Sequence, residues 1–297
     1  MGAVAADPTV GVVVLTQGTR PADLRRGIDS VLAQNGVRVD VVVVGNGWDP
    51  ATSADPLPSG VKTLALPENR GIPAGRNAGV PLATGDFLFF LDDDAALATP
   101  GFLRDAVELL RQDPSIGLIQ PRVVDPTGVA SPRRWIPRMR KGDPARSSPV
   151  FSCWEGAVLL PRPVFEATGG WADPFFYAHE GIELAWRVWD AGRRAWYAGE
   201  LVAHHPVIQQ TRHPYYWRLN ARNRVWLARR NLPVPLVPLY VASWTLVHAI
   251  RFARRPSGAR AWLAGWREGW RSDAGERRPL RWSTVWRMTL AGRPPVI

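Results

Sequence analysis

The chain has 297 residues, 46% of them hydrophobic and 15 of them Trp, so it can bury a full core and is expected to fold. Its single cysteine, Cys153, excludes an intrachain disulfide and a thiolate metal cluster. The net charge is +11, and most of it lies in residues 251–297, where 11 arginines stand against three acids. An anionic partner would therefore meet the tail rather than the body of the protein. We expect no secretory leader, because residues 1–10 lack a basic start and a long apolar run.

The first hundred residues alternate between short apolar runs and segments with helical spacing. This alternation is typical of a parallel sheet whose connecting helices cover its faces. The second apolar run leads into Gly45-Asn46-Gly47, a loop that permits close approach of a ligand to the backbone. We predict helices over 22–33 and up to residue 84, and strands over 10–15, 39–44, 61–66 and 87–91.

Three carboxylates, Asp92, Asp93 and Asp94, directly follow the fourth apolar run. A buried strand does not carry three charges in its middle, so the triplet is expected at the carboxyl end of the strand, where open parallel sheets bind ligands. Adjacent carboxylates repel one another unless a cation lies between them, and oxygen ligands suit Mg²⁺ or Mn²⁺. The alternative is a solvated acidic turn that caps a helix beginning at Ala95.

The middle of the chain adds further helices and strands around one long loop. Residues 125–149 are rich in Pro, Arg and Ser, and we predict a mobile loop there. Its arginines either contact phosphate or form a solvated basic surface. The remaining predicted elements are helices over 102–111, 163–168, 182–191 and 214–230, and strands over 117–124, 158–160 and 195–197.

The tail begins with a 19-residue uncharged stretch from Leu232 to Ile250, close to the length of a membrane span. Three prolines occupy its first third, so the predicted uninterrupted helix is 239–250, which suits a membrane interface better than a span. The Arg- and Trp-rich residues that follow favour an anionic interface, although a helical cap on a soluble domain is the alternative. We predict a domain of residues 1–231 and a helical, membrane-associating extension of residues 232–297.

Five motifs, taken in order, resemble family 2 glycosyltransferases, the inverting GT-A type. The resemblance covers about Thr9 to Leu232, and the rhamnosyl- and galactofuranosyl-transferase branches are the most similar on the late His and the pattern from Tyr216 to Arg224. The motifs are Val12-Val13-Val14-Leu15-Thr16; Ser30-Val31-Leu32-Ala33-Gln34; Asn69-Arg70-Gly71 with Ala74-Gly75-Arg76-Asn77-Ala78-Gly79; Ala83-Thr84-Gly85-Asp86 through Asp94; and Gly156-Ala157 to Trp186-Arg187 with His204-His205-Pro206.

The resemblance implies an α/β GT-A fold, Rossmann-like, with a mostly parallel sheet flanked by helices. It implies transfer of a sugar from a nucleotide-sugar donor to a hydroxyl of a glycan or lipid-linked acceptor, with Mn²⁺ or Mg²⁺ as cofactor. Asp94 is then the metal ligand and His204 a candidate second ligand, with His205 as the open alternative. The residues expected to bind the donor are Thr16, Asn46, Asn69, Arg76, Asp92, Asp93, Trp154 and Glu155.

An inverting displacement needs a base that takes the proton of the acceptor hydroxyl. The family carries it in an acidic pair, which stands here as Glu180-Gly181, so the second acid is missing. Glu180 is our first choice for the base, His179 the alternative and Glu183 a weaker candidate. A second departure is Gly45, where many relatives carry an acid, so the identity of the donor nucleotide stays open.

Two other functions compete with this one. Gly18-Thr19-Arg20 is similar to the loop of sugar-phosphate nucleotidyltransferases, although the preceding glycine-rich run is missing. Charge alone would suit a non-enzymatic binder of anionic lipid or nucleic acid, but the charge lies in the tail and the acidic triplet in the sheet. We therefore expect an anionic membrane surface and no nucleic acid as partner. The expected location is the cytoplasm, peripheral on the inner face of the plasma membrane.

Overall fold

The computed structural model describes residues 7–140, 142–207, 214–254 and 256–296. The expectation of no secretory leader rests on residues 1–10, most of which lie outside the described residues. The helices are α1 (Pro21–Leu32), α2 (Ile72–Gly79), α3 (Phe102–Gln112), α4 (Arg162–Thr168), α5 (Glu180–Asp190), α6 (Pro214–Asn231), α7 (Leu236–Arg254), α8 (Ala259–Arg271) and α9 (Trp282–Leu290). The strands are β1 (Thr9–Thr16), β2 (Arg38–Asn46), β3 (Lys62–Leu66), β4 (Phe87–Asp92), β5 (Ala96–Leu97), β6 (Ile116–Val124), β7 (Ser148–Val150), β8 (Ala157–Pro161) and β9 (Arg194–His204).

The first four strands form the predicted parallel half of the sheet, in the order β3-β2-β1-β4. Val13 in the central strand β1 lies beside Val42 of β2 and Phe90 of β4. Strands β1, β2 and β4 are apolar on both faces because helices cover both faces, so they carry continuous apolar runs in the sequence, whereas the edge strand β3 is mostly exposed. The carboxyl ends of β1, β2 and β4 consequently lie at one edge of the sheet.

The second half of the sheet departs from the predicted, mostly parallel arrangement. Strand β8 pairs antiparallel with both β4 and β6, and β9 pairs antiparallel with β5 and β7, while β6 and β9 run parallel. The sheet is therefore mixed: β5, β7 and β8 run against the other described strands, which share one direction. An apolar strand buried on both faces carries the same pattern in either direction, so composition does not report its orientation.

Two hydrophobic cores fill the space on the two faces of the sheet, as the period of two along β1 requires. Val12 and Val14 belong to the core beneath α1 and α3, and Val13 belongs to the core beneath α4, α5 and α6. The second core also contains Tyr240 of α7 and Met288 of α9. The C-terminal helices thus complete the core of the sheet domain, and the boundary at residue 231 stays a prediction.

Helix α7 begins earlier than predicted, at Leu236, because Pro238 stands in its first turn, where a missing backbone N–H costs no helical hydrogen bond. By length and composition it is long and apolar enough to cross a membrane, with 22% of its most apolar window buried against the protein. The core helix of a soluble protein passes the same test.

The long loop 125–149 packs on the sheet through Trp135 and Ile136, both of them buried. Arg133 donates to the carbonyls of Ile136 and Arg138, and Arg138 donates to the carbonyl of Asp143. The hydrogen bonds of these two arginines thus connect residues within the loop.

Candidate active site

An open cleft of about 500 Å³ lies at the shared edge where β1, β2 and β4 end. Open α/β sheets bind ligands at this edge. Five of the predicted donor-binding residues line the cleft: Thr16, Asn46, Asn69, Asp92 and Asp93. The rest of its described lining is Leu15, Gln17, Thr19, Arg20, Gly71, Ile72, Phe176, Tyr177, Tyr215 and Tyr216.

Two of the three acidic residues are held by neighbours from strand β1 and the turn after it. The Thr16 hydroxyl donates to Asp93 at 2.6 Å, and Arg20 donates to Asp93 at 2.6 Å and also to Asp94. Burial raises the pKa of Asp93 to about 6, against the opposing effects of Thr16 and Arg20. The guanidinium of Arg20 therefore neutralises part of the charge that three adjacent carboxylates bring together.

The imidazole that meets the triplet is that of His205. Its Nε2 lies 3.0 Å from Asp94 Oδ1, whereas His204, the predicted second ligand, ends β9 and pairs with Ala96. Burial alone would raise the pKa of Asp94, but the hydrogen bond and charge of His205, together with Arg20, hold it below its usual range. The geometry thus favours the histidine that the sequence left as the alternative.

One ligand atom each from Asp92, Asp94 and His205 can be chosen so that all three lie within 4.8 Å of one another. Two carboxylates and an imidazole suit Mn²⁺ or Mg²⁺. His205 Nδ1 lies 2.7 Å from the Pro206 carbonyl, an arrangement that fixes the ring with Nε2 directed at Asp94. Trp154 packs edge-on against the same ring at 4.9 Å between centroids. The set therefore fits the cation that the sequence predicts.

Arg76 lies beneath this edge rather than in the cleft. Its side chain is 1% exposed, donates to Asp92 Oδ1 at 2.6 Å, and lies over the Trp171 ring at 4.9 Å. Within the described part of the chain, its Nε and Nη1 atoms have no hydrogen-bond partner. Arg76 therefore orients Asp92 from beneath the cleft, and its Nε and Nη1 atoms can still donate hydrogen bonds.

The Asn46 side chain builds the floor of the cleft. It donates to Asn69 Oδ1 at 2.9 Å and accepts from the Arg70 backbone N–H at 2.9 Å. The missing acid at Gly45 also has a physical reason. A Cβ there would lie 2.0 Å from the Trp48 carbonyl oxygen, so this backbone admits no larger side chain.

The three base candidates lie at the start of α5. Glu183 forms ion pairs with Arg187 at 3.0 Å and Arg230 at 2.9 Å, all three side chains being buried, so its carboxylate is already engaged. Burial, with the nearby Arg224, lowers the pKa of His179 well below its usual value. Burial, and then the charge of Glu155, raises the pKa of Glu180 to about 8.

A strained loop positions these residues. Phe176, Ala178 and His179 have φ angles of 62°, 74° and 76°, a region that non-glycine residues seldom adopt. Asn223 of α6 holds the loop by donating to the carbonyls of Phe175, Tyr177 and Ala178 at 2.8, 2.7 and 2.9 Å. A single buried amide thus stabilises the conformation that precedes Glu180.

Sequence reasoning did not select five of the residues that line the cleft: Arg20, Phe176, Tyr177, Tyr215 and Tyr216. Arg20 drew attention only as part of the Gly-Thr-Arg loop of a competing function. The signal for the others was their pairing in the sequence as Phe176-Tyr177 and Tyr215-Tyr216. The Tyr177 and Tyr216 rings lie 6.3 Å apart and form an aromatic wall with Phe176 and Tyr215.

Comparison with known families assigns the chain to one of them. The sequence model described as glycosyl transferase family 2 matches residues 11–169, more than half of the chain. The chain belongs to this family. Strands β2, β3, β4 and β8 and the acidic triplet fall within the matched range, so the nucleotidyltransferase and the non-enzymatic binder are not favoured.

Relatives of this glycosyltransferase include proteins of two bacteria. It is 29% identical to a pre-mycofactocin glycosyltransferase of Mycobacterium tuberculosis over 205 residues, 65% of this chain and 42% of the relative. It is 38% identical to the succinoglycan biosynthesis protein ExoO of Rhizobium meliloti over 109 residues, 35% of this chain and 31% of the relative. The chain thus spans less than half the length of either protein.

Solved structures share the fold at low identity. One is the mannosyltransferase PcManGT from Pyrobaculum calidifontis in complex with GDP-Man and Mn²⁺, with a TM-score of 0.56, 18% identity, and coverage of 98% of this chain and 78% of that one. Another is S. aureus TarS in complex with UDP-GlcNAc, with a TM-score of 0.59, 13% identity, and coverage of 88% and 81%. These likenesses establish the α/β GT-A type of fold for the glycosyltransferase.

Proposed function

We propose that this glycosyltransferase moves a sugar from a nucleoside diphosphate sugar to a hydroxyl of a glycan or glycolipid, with inversion at the anomeric carbon. The observation that carries the proposal is the cluster of Asp92, Asp94 and His205 beside the cleft at the carboxyl edge of the sheet. The named ligands of the two structural relatives, GDP-Man with Mn²⁺ and UDP-GlcNAc, are of the proposed donor class. A rhamnose or galactofuranose donor is the first to test, after the branches that the sequence resembles.

In this proposal Asp92, Asp94 and His205 hold Mn²⁺ or Mg²⁺, and His205 takes the place first given to His204. The bound cation stabilises the negative charge that develops on the departing diphosphate. Asp93, fixed by Thr16 and Arg20, contacts hydroxyl groups of the donor. Arg76 sets the orientation of Asp92, and the rigid Asn46–Asn69 pair supports the nucleoside.

Glu180 acts as the base. The acceptor oxygen forms a bond to the anomeric carbon, the bond from that carbon to the diphosphate oxygen breaks, and the hydroxyl proton passes to the Glu180 carboxylate. A carboxyl with a pKa of about 8 is a much stronger base than an ordinary glutamate. The aromatic wall of Tyr177 and Tyr216 offers flat apolar faces to a sugar ring on the acceptor side.

A binding and product panel tests this function. The full chain is mixed with nucleoside diphosphates and nucleotide sugars, with and without Mn²⁺, and we expect a Mn²⁺-dependent rise in melting temperature with one nucleotide class. That nucleotide sugar should also release its nucleoside diphosphate slowly in the presence of Mn²⁺. Release of pyrophosphate from a nucleoside triphosphate and a sugar phosphate would overturn the assignment.

We propose further that an anionic bilayer covers the outer face of the C-terminal helices, with the enzyme peripheral on the cytoplasmic side of the plasma membrane. Trp282, Trp286 and Leu290 of α9 lie on one face of the helix and are 57%, 63% and 69% exposed. Leu246 and Ile250 of α7 are also exposed. Exposed Trp suits the headgroup layer, and the arginine excess of the tail attracts anionic lipid.

Replacing Trp282 and Trp286 together by Ala is expected to lower binding to phosphatidylglycerol vesicles at least tenfold in a sedimentation assay. Leu82→Ala, which changes an exposed apolar residue after α2, is the control and should bind as the wild type does. Deleting the tail is a poorer test, because Tyr240 and Met288 complete the core. Unchanged binding of the double variant would contradict the proposed surface.

A further inference from the structure

Gly181, at the second position of α5, makes room for a carboxylate from another segment. Its backbone N–H donates to Glu155 Oε1 at 2.8 Å. A Cβ at residue 181 would lie 2.3 Å from Glu155 Oε1 and 2.3 Å from the Cys153 carbonyl oxygen. A side chain at 181 and the observed place of Glu155 therefore exclude each other, so the glycine and Glu155 belong to one arrangement.

From this geometry we infer that Glu155 is the second acid of a two-carboxylate base unit with Glu180, in place of the acid missing at 181. Gly181 connects the two, since it follows Glu180 in α5 and binds Glu155 through its backbone. The inference rests on the proposed function of Glu180. Glu155 acts through Glu180, so it is a positioning residue and not the group that takes the hydroxyl proton.

The charges around the pair support an electrostatic interaction between the two carboxyls. Burial first, and then the charge of Glu155, raises the pKa of Glu180, and burial raises the pKa of Glu155. Arg76 lowers the pKa of both carboxyls, and Asp92 raises it. The other titratable groups that face the pair are Tyr177 and Cys153, both neutral because burial raises their pKa values.

The two positions differ in their access to solvent. Glu180 is 3% exposed, and within the described residues its buried Oε2 has no hydrogen-bond partner, so one carboxyl oxygen lacks the partner that a buried polar atom normally has. Glu155 is only partly buried and lies at the N-terminal N–H groups of α5, which stabilise a negative charge. The negative charge of Glu155 thus makes Glu180 more basic.

Glu155→Gln keeps the shape and an oxygen for Gly181 N–H but removes the charge. We expect the acidic limb of the pH profile of kcat/KM, where activity rises as the base loses its proton, to move to lower pH by at least about one unit, because coupled carboxyls interact by roughly that much. Glu155→Asp, which retains the charge, should keep the limb close to its wild-type position. Glu166→Gln, on the exposed face of α4, is the matched control and should leave the profile unchanged.

Carbon-13 NMR titration of the glutamate carboxyls, without substrate, separates this inference from the proposed function. In the wild type we expect one carboxyl to titrate near pH 8, and in Glu155→Gln that step should move to lower pH. An unmoved step would overturn the inference even if sugar transfer is observed. If no sugar transfer is found but the titration step moves in Glu155→Gln, the coupling of Glu155 and Glu180 would stand and the proposed function would fail.

Discussion

Replacing Glu180 by Gln is expected to lower kcat for sugar transfer by about 10²–10⁴-fold, the usual contribution of a general base. The amide keeps the size of the side chain but cannot accept the proton of the acceptor hydroxyl. Affinity for the nucleoside diphosphate with Mn²⁺ should stay near that of the wild type, because Asp92, Asp94 and His205 are untouched. Steady-state kinetics at saturating donor, together with calorimetric titration of the nucleotide, measures both quantities.

The stability of the same variant provides a check on the fold. In the unfolded chain the carboxyl of Glu180 titrates near its ordinary pKa of 4.5, and in the folded chain at about 8. Between these values the folded chain holds a proton that the unfolded chain has released, so the contribution of Glu180 to stability falls as pH rises. Gln does not titrate. The melting temperature of the variant relative to that of the wild type should therefore rise as the pH increases from about 4.5 to 8.

Glu166→Gln is again a suitable control, since it removes one carboxylate from the exposed face of α4. It should change neither kcat nor the pH dependence of the melting temperature. A Glu180→Gln variant that retains wild-type kcat would reject the base assignment and direct attention to His179.

The second large effect is expected at Asp94. Asp94→Asn should weaken Mn²⁺-dependent binding of the nucleoside diphosphate by at least about 10–100-fold, the loss that follows even when only a supporting neighbour of a metal ligand is removed. The amide keeps the shape of the carboxylate but not its charge. Arg20 retains its bond to Asp93 at 2.6 Å, so the turn after β1 should stay in place. Isothermal titration calorimetry with and without Mn²⁺ measures the effect.

Asp105→Asn, on the exposed side of α3, is the matched control and should bind the nucleotide as the wild type does. Circular dichroism should show a folded Asp94→Asn variant. An affinity for nucleotide and Mn²⁺ equal to that of the wild type would refute the metal site.

The parallel half of the fold and the place of the acidic triplet could be predicted from the sequence. Apolar runs such as Phe87–Leu91 are too short for buried helices, and the abrupt change to Asp92 marks the end of a strand. The direction of β8 could not be predicted, because Val158-Leu159-Leu160 is apolar on both faces and has no polar end to orient it. The mixed character of the sheet was therefore not predictable from the sequence.

Which of His204 and His205 reaches the acidic triplet could not be predicted from the sequence, for a related reason. Successive side chains of a strand point to opposite sides, so the outcome depends on the residue at which β9 ends. Register fixes it: His204 pairs with Ala96, and His205, one residue later, reaches Asp94. The role of Arg20 depends equally on the fold, since its partners Asp93 and Asp94 lie more than 70 residues away in the chain.

The three hydrogen bonds of Asn223 have a consequence for how the cleft can change. The proposed donor side rests on the sheet, through Thr16, Asn46 and Asp92. The loop before Glu180 is bound to α6 instead, by the side chains of Asn223 and Arg222. Tyr215 and Tyr216 belong to the same helix. Under the proposed function we therefore expect redesign that retains Asn223 and varies the start of α6 to change acceptor preference while the strands beneath the cleft stay in place.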